Sequence, residues 1–338
     1  MGGGPGAVRL LVCGGAGFIG STFVRLRVRR HGDAVTVLDK LTYAGRRENL
    51  QEVSEAIRFV RGAIEDPAAV ADATDGCDAI INFAAETHVD RSISGPEEFV
   101  TTNVQGTQVL LGAASARGLR YLQVSTDEVY GSIESGSFDE ESALRPSSPY
   151  SATKAGADLL VCSYVHTYGL DGVICRGSNN YGPYQYPEKL VPLTILNALS
   201  GDRLPVYGDG RNVRNWLYAE DFCEGIGTVL LRGSPGTVYN CGGPDQCENL
   251  ELVRRVVALM GADESLIELV SDRPGHDRRY SLSCERLRAL GWKPRVTLAE
   301  GLKRTVHWYR ENSWWWEPVR SGAYREYYSS HYGRALGE

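Results

Sequence analysis

Apolar positions come along this chain in short runs separated by longer segments of helical spacing. Val8–Val12 is an apolar run that stops at a glycine-rich turn, and Phe18–Arg30 continues with helical spacing. Ala34–Leu38 alternates into a second strand ending at Asp39, while Ile57–Val60 and Ala79–Phe83 read as a third and a fourth. Asn103–Arg117 carries Val104, Leu111 and Ala114 near one helical face. Tyr121–Val124 is a fifth strand, Pro149–Tyr168 a long helix and Val173–Cys175 a sixth strand. Strands alternating with helices predict an α/β fold built on a doubly wound parallel sheet.

The rhythm changes after Asn179. Prolines 183, 187, 192 and 205 break the chain into short pieces. The expected division is a first domain over 7–182, joined by roughly 213–240, and a smaller C-terminal lobe over 183–212 and 241–330. The tail holds Trp314-Trp315-Trp316 and several tyrosines, read as packing or a subunit edge rather than a stacking platform for a base.

Composition narrows the partners. A chain of 338 residues, 42% hydrophobic, is long enough for a large core. A net charge of -6 gives no electrostatic reason to expect nucleic acid or an anionic membrane as partner. The eight cysteines include no C-x-x-C pair, so neither a metal site nor a disulfide framework is expected, and reduced thiols suit the cytoplasm. The opening Met1-Gly2-Gly3-Gly4-Pro5-Gly6 lacks the features of a signal peptide, and no apolar run approaches the roughly 18–20 residues of a membrane span.

The first chemistry lies in Gly14-Gly15-Ala16-Gly17-Phe18-Ile19-Gly20, between a strand and a helix. Glycines there allow a tight turn and let the backbone approach a pyrophosphate, which the helix N-terminus then binds. Asp39 follows Gly20 by 19 residues, at the end of the second strand. Its carboxylate suits the adenosine ribose hydroxyls and repels a 2′-phosphate, so the motif predicts a Rossmann-type domain binding NAD rather than NADP.

Two further segments carry reactive groups. Pro149 suits the first turn of a helix, with Ser147 or Ser148 as cap. Tyr150 and Lys154 then share one face a turn apart. A nearby ammonium and a nicotinamide cation would lower the phenol's ordinary value near ~10, making Tyr150 a base for a hydroxyl proton. Ser125-Thr126-Asp127-Glu128-Val129-Tyr130-Gly131 closes the fifth strand with two adjacent carboxylates. A simple dehydrogenase needs only the Tyr/Lys pair; an acid and a base beside it suit the expulsion of water.

With these elements placed, the chain resembles the extended short-chain dehydrogenase/reductase superfamily and, within it, the dTDP-glucose 4,6-dehydratase family. Ala84–Ser92, Ser125–Gly131, Ser178–Pro183, Pro187–Leu190 and Asp272–Tyr280 carry the resemblance, the second and the last most specifically. It implies a lyase that oxidises C4 of the sugar, eliminates water across C5 and C6 and returns hydride to C6. Tyr150 and Lys154 would take the C4 hydroxyl proton, Thr126 would hold the ketone oxygen, Glu128 would remove the C5 proton, and Asp127 would donate to the departing C6 hydroxyl. The resemblance implies that NAD meets Gly14, Gly17, Phe18, Ile19, Gly20, Asp39, Lys40, Thr42, Ile64, Ala84, Ala85, Thr102, Tyr150, Lys154 and Asn180. The nucleotide sugar would meet Thr87, Asn179, Lys189, Leu190, Pro205, Tyr207, Arg214, Asn249, Arg273 and His276. It also implies a homodimer, paired through the Asn103 and Pro149 helices.

Three positions depart from the family pattern. Ala63 stands where an aspartate usually meets adenine, Cys13 where threonine is usual, and Asn215 where aspartate usually follows the arginine. A 4-epimerase needs no acid/base pair, so Asp127-Glu128 argues against it. A UDP- or GDP-sugar dehydratase stays open on these residues, as does a non-catalytic NAD sensor, though the latter has no use for Tyr150, Lys154 and Glu128.

Overall fold

The longest apolar runs become the strands at the centre of the molecule. The computed structural model describes residues 7–320. In chain order the strands among them are β1 (Arg9–Cys13), β2 (Ala34–Asp39), β3 (Ile57–Arg61), β4 (Ala79–Asn82), β5 (Arg120–Thr126), β6 (Gly172–Gly177), β7 (Asn179–Tyr181), β8 (Leu204–Tyr207), β9 (Val213–Tyr218), β10 (Val238–Cys241), β11 (Asp245–Glu248) and β12 (Ile267–Val270). Seven form one parallel sheet in the order β10-β6-β5-β4-β1-β2-β3. Leu10, Leu11, Val12 and Cys13 are buried, as expected of a strand covered on both faces. The strand order reverses between β1 and β4, so a crevice opens there at the carboxyl edge, where such sheets bind ligands.

Helices cover both faces. One core joins Leu10, Val12, Phe23, Phe222, Ile226 and Trp292; the other joins Leu11, Ile80, Leu110, Leu111 and Val161. The Phe18–Leu26 helix continues into a π-helical turn at Arg27–His31. The expected Asn103–Arg117 helix starts earlier: Glu97–Phe99 leads into a π-helical stretch, Val100–Gly106, and then Thr107–Arg117. The Pro149–Tyr168 helix has the expected bounds, with a capping box between Ser148 and Ser151 and Gly169 in the left-handed conformation (φ 67) at its end.

The expected return segment 213–240 divides. Ala219–Arg232 and β10 join the main sheet's layers, but β9 pairs with β7 and β11 in a separate three-stranded sheet. A third core, with Tyr181, Ile195, Trp216, Leu252, Leu302 and Trp315, fills this part of the molecule. Trp315 is buried there and donates its indole N–H to Asn49 at 2.7 Å, whereas Trp314 is exposed. The opening glycines and the tail tyrosines lie outside the described residues. No helix among the described residues is long and apolar enough to cross a membrane.

Candidate active site

The glycine turn forms one side of a cavity of about 310 Å³ at the sheet's carboxyl edge. Gly14 takes φ 71, and a Cβ there would meet the backbone of Ala84 at 2.6 Å. A Cβ on Gly20 would run into the Gly14 carbonyl, which fixes how closely the first helix packs on the turn. Beside Gly17 the nearest atom to a built Cβ is 3.4 Å away, so space remains in front of the Phe18–Leu26 helix. No side chain caps that N-terminus, leaving its N–H groups for an anion. Asp39 accepts from the Ala16 N–H at 2.9 Å and the Leu41 N–H at 2.8 Å. Each oxygen retains a further lone pair for a hydroxyl. An open turn, a free helix N-terminus and a fixed carboxylate fit a dinucleotide.

Lys40 donates to Thr102 at 3.0 Å and lies 3.4 Å from Glu65. Ala63 and Ile64 line the same region, so the side chain missing at Ala63 leaves room rather than a contact. Burial pushes the Cys13 thiol up, and it packs in the core as a small hydrophobe. Asn215 donates to the carbonyls of Gly243 (2.8 Å) and Asp245 (3.1 Å), a task no carboxylate could perform.

The reactive groups face this cavity from the end of β5, the 3-10 turn Asp127–Tyr130 that follows it and the Pro149–Tyr168 helix: Thr126, Asp127, Glu128, Tyr150 and Lys154 all line it. Thr126 bonds Asp127 Oδ1 at 3.3 Å and accepts from the Glu128 N–H at 3.2 Å, which sets the two carboxyls apart. Burial, then the charge of Glu128, pushes Asp127 up to about 8. Its Oδ2 is buried and has no hydrogen-bond partner among the described residues. Burial also raises Glu128, but Arg273, Arg214 and Lys189 pull it back. Asp127 is thereby suited to keep its proton as an acid, while Glu128, raised by burial, lies under the opposing charge of three cations.

The Tyr/Lys pair departs from expectation. Burial, then the charge of Glu128, raises the Tyr150 phenol above its ordinary value, with a Thr126 hydrogen bond acting the other way. Lys154 donates to the Val124 carbonyl at 2.7 Å, and burial lowers it to about 8. Desolvation and the neighbouring carboxylates govern the phenol, so the expected lowering of Tyr150 is absent from the protein alone.

The expected cofactor contacts Gly14, Gly17, Phe18, Ile19, Gly20, Asp39, Lys40, Thr42, Ile64, Ala84, Ala85, Thr102 and Asn180 all line the cavity, as do Thr87, Asn179 and Lys189. Leu190, Pro205, Tyr207, Arg214, Asn249, Arg273 and His276 do not. Tyr207 and Arg273 converge on Asp90, at 3.2 and 3.1 Å, and the His276 ring lies edge-on to Tyr207. Arg214 stacks 4.3 Å over the Tyr280 ring and donates to the Asp277 carbonyl. Leu190 packs into the hydrophobic core, Pro205 lies within β8, and Asn249 opens a helix. Sequence reasoning missed Asp90, although it lies within the Ala84–Ser92 string. It also missed Asn103, whose side chain bonds the Glu86 N–H and carbonyl and Thr153.

The parallel sheet, the glycine turn and the paired Tyr150 and Lys154 define a class: dinucleotide-dependent enzymes of the extended short-chain dehydrogenase/reductase type. Fold alone does not divide that class. A UDP-glucose 4-epimerase of Thermus thermophilus, solved in complex with NAD, matches with TM-score 0.84 and 32% identity, covering 90% of this chain and 99% of its own. DesIV, a dTDP-glucose 4,6-dehydratase of Streptomyces venezuelae solved with NAD bound, matches with TM-score 0.90 and 54% identity over 92% of this chain and 99% of its own. The dTDP-glucose 4,6-dehydratase of Streptomyces niveus is 53% identical over 323 residues, covering 93% of this chain and 96% of that protein. The chain belongs to the GDP-mannose 4,6 dehydratase family, whose profile matches residues 11–305, and within it to the dTDP-glucose 4,6-dehydratases.

Proposed function

We propose that this cavity converts dTDP-glucose to dTDP-4-keto-6-deoxy-glucose and water, a hydro-lyase step of deoxysugar biosynthesis. The observation that carries the reading is the adjacent carboxyl pair in the cavity: Asp127, buried and held up to about 8, beside Glu128, which burial raises and three cations oppose. An epimerase has no use for such a pair.

NAD is the cofactor, held by Gly14, Gly17–Gly20, Asp39, Lys40, Thr42, Ile64, Ala84, Ala85, Thr102, Tyr150, Lys154 and Asn180. When bound, it supplies the acceptor for hydride from C4 and the donor of hydride to C6. Tyr150 takes the C4 hydroxyl proton, aided by the positive charge of Lys154. Thr126 donates a hydrogen bond to the C4 oxygen, which acidifies the C5 hydrogen. Glu128 removes that hydrogen as a proton, the electron pair forms the C5–C6 double bond, and the same carboxyl returns the proton to C5 when hydride reaches C6. Asp127 gives its proton to the C6 hydroxyl, which leaves as water. Lys189, Arg214 and Arg273 meet the diphosphate, which a planar guanidinium can bind with two parallel bonds. Thr87, Asn179, Leu190, Pro205, Tyr207, Asn249 and His276 complete the sugar and base contacts.

The reading includes a cofactor domain and a substrate lobe, a cytoplasmic enzyme with eight free thiols, and a homodimer. Val100 and Leu159 are 52% and 60% exposed on the two helices expected to pair, which supports that interface. Light scattering checks it: a monomer removes it.

The test of the reaction is dTDP-glucose carrying deuterium at C4. The expected product is lighter by one water and holds deuterium at C6. An unchanged mass, or deuterium lost to solvent, overturns the reading. UDP- and GDP-glucose in parallel test the base.

A further inference from the structure

We propose that Tyr43 and Glu188 form the latch that keeps the dinucleotide in its cavity, an inference that rests on the NAD reading above. Residues 41–46 cross the adenosine side of the cavity as a strap, with Thr42, Ala44 and Gly45 lining it. One end is tied to the carboxylate that closes β2 and the other to the glycine turn. Leu41 donates its N–H to Asp39, and the Arg46 N–H donates to the Ala16 carbonyl at 3.0 Å. Leu41 bends the chain with φ 58, a conformation that a branched side chain adopts at a cost. The strap therefore needs an outside tie to hold its shape.

Tyr43 provides it from the middle of the strap. Its hydroxyl donates to Glu188 Oε1 at 2.9 Å. Its ring lies 4.1 Å from the Arg91 guanidinium and edge-on to Tyr186 at 5.2 Å. Glu188 is 5% exposed and immediately precedes Lys189 and the Leu190–Ser200 helix. The tie thus spans from the cofactor's cover to the segment that opens the substrate lobe. Adenosine leaves past residues 42–45 only if the strap lifts, and lifting breaks this partly buried hydrogen bond. Tyr43 and Glu188 touch no reacting atom; they are positioning residues, and the property they set is how long the cofactor stays. A catalyst that regenerates its cofactor on the same site at each turnover needs that residence.

The experiment uses the full chain loaded with NAD. Bound NAD is quantified by chromatography after timed dilution into buffer containing an NAD-consuming enzyme, and the melting temperature of the NAD-free protein is recorded alongside. Tyr43→Phe keeps the ring and loses the donor, so release should quicken about tenfold, the loss of one hydrogen bond to a charged group. Glu188→Ala should match it. Glu188→Gln still accepts the phenol's hydrogen and should stay within about threefold of the parent. Parental release rates in both Tyr43→Phe and Glu188→Ala overturn the latch while leaving the cofactor reading intact. Release rates that simply follow the melting temperature of the NAD-free variants also overturn it, reducing the contact to general stability. A parent chain that binds no NAD at all overturns both.

Discussion

The cavity has two unlike sides. Its cofactor side is made largely of main chain: the Gly14–Gly20 turn, a helix N-terminus and strand ends that position one carboxylate, Asp39. Its substrate side is lined by Asp127, Glu128 and Lys189, and Arg214 and the Asp90-paired Arg273, outside that lining, act on Glu128 through their charge. A dinucleotide presents a diphosphate and ribose hydroxyls, groups that main-chain N–H donors and one fixed carboxylate can hold. A sugar that must lose a proton and then a hydroxyl needs groups whose charge is set by their surroundings. The first side tolerates little change in shape; the second tolerates little change in charge.

That contrast can be broken by substitution. Glu128→Gln changes charge without shape and should lower turnover about a thousandfold, the scale of one general base. The absorbance of reduced nicotinamide should still rise on mixing with substrate; normal turnover would remove Glu128 from the elimination. Tyr150→Phe should lose that absorbance as well, and an undiminished signal would count against its role in the first step. Arg273→Ala should lower kcat/KM about thirtyfold by removing a charge-assisted contact and the ion pair that steadies Asp90. An equal loss of thermal stability with no change in KM would make Arg273 purely structural.

On the cofactor side, Gly20→Ala changes shape without charge. Its new Cβ would press on the Gly14 carbonyl, costing roughly 1.5 kcal/mol and reducing bound NAD. Full NAD content in that variant would show the turn to be more yielding than its packing suggests. The smallest effect is on pH dependence. Folded Asp127 is raised to about 8, above its unfolded value near ~3.9. The folded chain thus binds a proton that the unfolded chain has released between those values, and Asp127 lowers stability as pH rises through that window. Asp127→Asn should melt a few degrees higher than the parent at pH 7, with the gap closing below about pH 4. A gap that stays constant with pH would mean that Asp127 is ionised in the folded chain. The same titration predicts that turnover of the parent falls above pH of about 8, as the acid loses its proton.

The two sides were also unequally legible. The glycine turn, Asp39 and the Pro149–Tyr168 helix follow from local rules: φ freedom, a strand end, a proline in the first turn and a glycine past the last. Asp90 did not, because its partners Tyr207 and Arg273 lie 117 and 183 residues away. The segment 213–240 is expected with the first domain, but β9 within it pairs with β7 and β11, a pairing that no local pattern records. The π-helical stretch at Val100–Gly106 left no mark in the hydrophobic spacing. The phenol of Tyr150 was read from its neighbours' charges, whereas its burial governs it.

Asn103 sits in that widened stretch and grips the main chain on both sides of Glu86 as well as the hydroxyl of Thr153. One amide therefore sets the spacing between a jaw that flanks the cofactor and the helix that presents Tyr150. Altering Asn103 would detune oxidation and elimination together.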